Sequence, residues 1–84
     1  RGMNILYQYY NEIVLAFNDF EVELREGVIV IPIPQSNKPF ENVCEKVNTQ
    51  LLRVADSLEA RDREISVRVI RGTEVRDIIL EKQL

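Results

Sequence analysis

The chain is expected to fold as a small α+β domain: an antiparallel sheet of two hairpins packed on one long amphipathic helix over 39–62. A further helix is expected over 4–18. Three observations predict this. From Pro39 to Asp62 the apolar residues repeat with the period of a helix. Glycine-centred turns at Glu26-Gly27 and Gly72-Thr73 each separate two apolar, β-branched runs. With 84 residues, 45% of them hydrophobic, the chain is too apolar for a disordered tail and large enough for one domain only.

The 39–62 stretch anchors the reading. With Phe40 at the zero of a wheel turning about 100° per residue, Val43, Cys44, Val47, Leu51, Val54, Ala55 and Leu58 fall within about 60° of it. Glu41, Asn42, Glu45, Thr49, Arg53, Asp56 and Ser57 take the other side. That is a helix with one buried face. Asn37 or Lys38 is the expected cap, with Pro39 in the first turn.

Residues 4–18 admit two readings. As a helix, Leu6, Tyr9, Tyr10, Ile13, Ala16 and Phe17 share a side, and only Leu15 breaks the pattern. As strand, Ile5, Tyr7, Tyr9, Ile13, Leu15 and Phe17 alternate, with turns at Asn11-Glu12 and Asn18-Asp19. The helix is preferred because Leu6, Tyr10 and Val14 spoil the alternation. Arg1-Gly2 ahead of Met3 is expected to be a vector-derived addition.

The first hairpin is expected over 20–33. Phe20, Val22 and Leu24 alternate with Glu21, Glu23 and Arg25, and Gly27 tolerates the positive φ of a tight turn. Val28 to Ile31 is apolar on both sides, so it must be covered on both faces or paired with another chain. Pro32 and Pro34 each lack a backbone donor, so pairing must stop there or sit at an edge. The second hairpin is expected over 65–81, with a type II′ turn at Gly72-Thr73. That turn sets Arg68 opposite Asp77 and Arg71 opposite Glu74, and leaves Val69 beside Arg76. Helix plus hairpin thus occurs twice, as architecture rather than as a sequence repeat.

Chemistry is sparse. The chain has no histidine, three glycines, and no phosphate-binding or nucleophile-elbow motif. Cys44, the single cysteine, lies mid-stripe and is expected to be an inert buried thiol; one cysteine allows no internal disulfide, as suits a reducing, cytoplasmic compartment. No apolar run reaches a membrane span. The pairs Glu41/Glu45 and Glu21/Glu23 could serve acid–base or metal chemistry, but a solvated charged face accounts for them. No catalytic residue, cofactor or metal is expected.

Contact features are better represented. Tyr7, Tyr9 and Tyr10 cluster, and tyrosine is favoured at interfaces. Leu52 lies about 120° off the main stripe, exposed or awaiting a partner. The formal net charge is −3, yet it is unevenly placed: 12–26 is acidic, while 61–76 carries Arg61, Arg63, Arg68, Arg71 and Arg76. The arginine-rich hairpin is the case for nucleic acid, weakened by the overall acidity and by Glu74 and Asp77 beside the arginines. The leading expectation is a non-enzymatic protein-binding module, self-associating as a homodimer, with Tyr7, Tyr9, Tyr10, Leu52, Arg68, Arg71 and Arg76 as candidate contacts. A nucleic-acid-associated factor is the alternative, and a carboxylate- or metal-dependent enzyme the third. No membrane partner is expected.

Overall fold

The computed structural model describes residues 2–57 and 65–80, with side chains for 6–56 and 65–80. The elements are α1 (Gly2–Ala16), β1 (Glu23–Arg25), β2 (Val28–Pro32), α2 (Phe40–Ser57), β3 (Ile65–Arg71) and β4 (Glu74–Leu80). They form an α+β fold whose sheet runs in the order β1-β2-β3-β4. The end of the expected long helix (58–62), Arg61 and Arg63 lie outside the described residues.

The helix preferred for 4–18 forms and ends at Ala16, with 17 and 18 in the turn that follows. Tyr9, Ile13 and Phe17, spaced four apart, are buried on one stripe, while Leu15 points to solvent. Packing of this stripe outweighs the strand preference of its aromatic and β-branched residues. The helix end is satisfied from outside: the Gln50 amide donates to the Ala16 carbonyl at 2.6 Å, tying α1 to α2. The chain then turns, with the Phe20 amide bonded to Phe17 and the two rings 6.0 Å apart.

Both turns fall at the expected dipeptides. Glu26 and Gly27 have φ of 48° and 79°, the pair of positive values that defines a type I′ turn. Gly72 alone is positive in the second, at 62°, as type II′ requires. There a Cβ would also lie 2.8 Å from Nε2 of the exposed Gln35 side chain, whose end would have to shift.

The sheet is mixed, which corrects the expectation of a wholly antiparallel one. Each hairpin is antiparallel, but β2 and β3 pair in parallel, Ile29 with Val67 and Ile31 with Val69. The cause is α2, an 18-residue helix that carries the chain back to the starting end of β2 before β3 begins. Strand, helix and strand in succession is the arrangement that makes parallel pairing.

Pro32 occupies a place where no donor is needed. The Ile33 amide bonds Ile70 on β3, so the neighbouring Pro32 nitrogen faces the β1 side, where pairing has already ended. The cap of α2 is Pro39 rather than Asn37 or Lys38, since its carbonyl accepts from the Asn42 and Val43 amides. Cys44, Val47, Leu51, Val54 and Ala55 are buried under α2, as the wheel predicts. They pack with Tyr9 and Ile13 of α1 and with Phe17 just after it on Ile29, Ile31, Val67, Val69, Ile78 and Leu80 of the sheet. Val69 stays fully buried beside exposed Arg76, because β4 is an edge strand and β3 is not.

Candidate interaction surface

Both helices cover one face of the sheet, and among the described residues no layer covers its other face. Register assigns the uncovered face to Glu23, Arg25, Val28, Val30, Pro32, Ser66, Arg68, Ile70, Val75, Asp77 and Ile79. A charged row crosses its middle. Glu23, Val30, Arg68 and Asp77 are consecutive cross-strand neighbours, and Val30 is only 4% exposed between Glu23 and Arg68. Arg68 grips Asp77 with two bonds, of 2.8 and 3.2 Å. These bonds hold the Asp77 carboxyl below its ordinary range, against a smaller upward push from burial. Across the sheet, Arg25 pairs with Glu23 at 2.6 Å.

On either side of that row lie apolar residues. Val75 is 56% exposed and Ile79 57%, both on β4, with partly buried Ile70 beside Val75. Among the described strands β4 is also the long open edge: it has seven residues, while the opposite edge, β1, has three. In a two-residue hairpin the flanking pair Arg71/Glu74 is hydrogen-bonded, so the amides of Glu74, Arg76 and Ile78 face β3. Those of Val75, Asp77 and Ile79 then point away from the sheet.

The candidate contacts from the sequence scatter. Tyr9 is core, and burial pushes its hydroxyl pKa up. Tyr10 is partly buried, with its hydroxyl 3.4 Å from the Val22 carbonyl. Tyr7 alone of the three is open, at 48% exposure. Leu52 is partly buried rather than exposed. The arginines do not share a surface: Arg68 lies on the uncovered face, Arg76 on the helix side of β4, and Arg71 is buried.

Arg71 is a structural tie rather than a contact residue. It is 7% exposed, donates to the Lys38 carbonyl at 2.7 Å and pairs with Glu74 at 3.0 Å. Its guanidinium lies 5.5 Å from the centre of the Phe40 ring. It thereby pins the loop before α2 to the end of β3. Cys44 is buried, and its thiol pKa is pushed up by that burial despite nearby Arg76 and Arg71. Among the described residues, no three acidic or cysteine side chains converge to hold a metal, and no helix is long and apolar enough to cross a membrane.

Val75 and Ile79 are the exposed apolar residues of β4 that sequence reasoning did not single out. The signal was available: in the expected register they alternate with Arg76 and share the face of Asp77, which must be wet. Compared with known proteins, the chain matches no family model, no curated protein and no solved structure.

Proposed function

We propose that this chain is a non-enzymatic protein-interaction module of a reducing, cytoplasmic compartment, and that it self-associates through β4. The observation that carries the reading is the open β4 edge with exposed Val75 and Ile79. Exposed edges are ready templates for another strand.

Geometry favours one register. Val75 and Ile79 lie symmetrically about Asp77, and all three turn their free amides outward. Antiparallel pairing of two β4 strands about a two-fold axis at Asp77 sets Val75 of each copy opposite Ile79 of the other. The same pairing joins the outward amides and carbonyls of 75, 77 and 79, and makes one eight-stranded sheet from two of the four-stranded ones. Asp77 then faces its own copy, a repulsion offset by the Arg68 held on each carboxylate.

Sedimentation equilibrium tests this. A monomer–dimer equilibrium in the micromolar range is expected, shifted to monomer by Ile79→Lys with the fold retained. A strict monomer at high micromolar concentration, or a dimer indifferent to Ile79→Lys, refutes it. The divergence of Arg68, Arg71 and Arg76 weighs against a nucleic-acid surface.

A further inference from the structure

On the helix side, away from β4, a cleft of about 350 Å3 opens between the end of α1, the first turns of α2 and the loop after β2. This size lies in the range of small-molecule pockets, roughly 300–1,000 Å3. Phe17, Phe20, Ile33, Pro34, Val43 and Val47 make it apolar. Two cations, Lys38 and Lys46, stand on its rim with the amides of Asn42 and Gln50, and among the described residues no carboxylate lines it.

The charge is segregated by the helix itself. On the α2 wheel Lys46 and Arg53 fall on the side of Val43 and Gln50, whereas Glu41, Glu45 and Asp56 fall on the far side. The charged residues described as lining this cleft are therefore both cations, while Asp19 and Glu21 line the adjoining hollow beyond Phe20 and Ile33. Neither rim lysine has an ion-pair partner among the described residues. The frame is also fixed: Arg71 holds the Lys38 carbonyl, and Gln50 holds the end of α1.

We infer that this cleft binds a small anionic amphiphile, an aliphatic or aromatic carboxylate whose apolar body lies on Phe17, Phe20 and Val43 and whose head meets Lys38 and Lys46. The apolar lining supplies affinity, and the two ammonium groups select the sign of the head. The inference is independent of self-association, because none of these residues belongs to β4.

An NMR titration of the full chain with decanoate, and in parallel with decyltrimethylammonium, decides it. Decanoate should give saturable shifts at Phe17, Phe20, Val43 and Val47 below a millimolar, and the cationic amphiphile should not. The double variant Lys38→Glu, Lys46→Glu, changed only at exposed positions, should bind decanoate at least about tenfold more weakly. Absence of saturable shifts at the cleft, equal binding of both amphiphiles, or no change on charge reversal overturns the assignment.

Discussion

Replacing Arg71 by alanine tests whether its buried guanidinium is a structural tie. The magnitude follows from what it touches. The charge-assisted bond to the Lys38 carbonyl, 2.7 Å long, contributes about 1.5–3 kcal/mol. The position over the Phe40 ring adds about 0.5–2 kcal/mol. The pair with Glu74 is worth less than about 1 kcal/mol, because that carboxylate is half exposed. These contributions share one side chain and do not add fully, so a net loss of about 2–4 kcal/mol is expected. A domain of 84 residues has on the order of 4–13 kcal/mol in total, so the change removes a large share of it. Urea unfolding followed by circular dichroism, at protein concentrations low enough to keep the chain monomeric, measures the loss as a lower midpoint at unchanged slope. Arg71→Lys should recover less than half, since lysine lacks the planar fork. A midpoint for Arg71→Ala within about 0.5 kcal/mol of the parent would refute the role, because surface substitutions fall in that range.

Three further outcomes follow from the same contacts. Asp77 has a folded pKa below its unfolded one, so its contribution to stability is in place above the ordinary carboxylate range and is lost as pH falls through the lowered value; a carbon-detected NMR titration should find it low in the parent and normal in Arg68→Gln, and equal values would contradict the pairing. Gly72→Ala should cost about 1–2 kcal/mol and Gly27→Ala about 1, because both have positive φ but only Gly72 also meets Gln35; Gln35→Ala should relieve part of the first loss and none of the second. Cys44, buried with a raised thiol pKa, should react with a thiol reagent only as fast as the domain opens; rapid modification of the native protein would show that α2 does not cover it.

How much was legible depends on how local each signal is. The stripe of α2 and the two glycine turns are written in spacings of a few residues, and the second hairpin's register follows from its turn alone. The parallel pairing of β2 with β3 depends on where α2 returns the chain, which no local pattern records. Tyr9 and Tyr10 are alike as residue types, yet a rotation of about 100° on α1 buries one more deeply than the other. Arg71 was misread for a similar reason. Opposite Glu74 it resembles a solvated pair, and only the arrival of Lys38 and Phe40 from the other side of the domain buries it. The hairpin register alone places Val75 and Ile79 on the wet face of Asp77, but that their strand is an edge is a property of strand order, which no local pattern records.

Hydrogen exchange at β4 is the most direct test of self-association. The amides of Val75, Asp77 and Ile79 point off the sheet edge, while those of Glu74, Arg76 and Ile78 are bonded to β3 within one chain. The account predicts that the outward three become protected as concentration rises through the micromolar range, and that the inward three do not change beyond the global stabilisation. Outward amides that exchange freely at every concentration would contradict it.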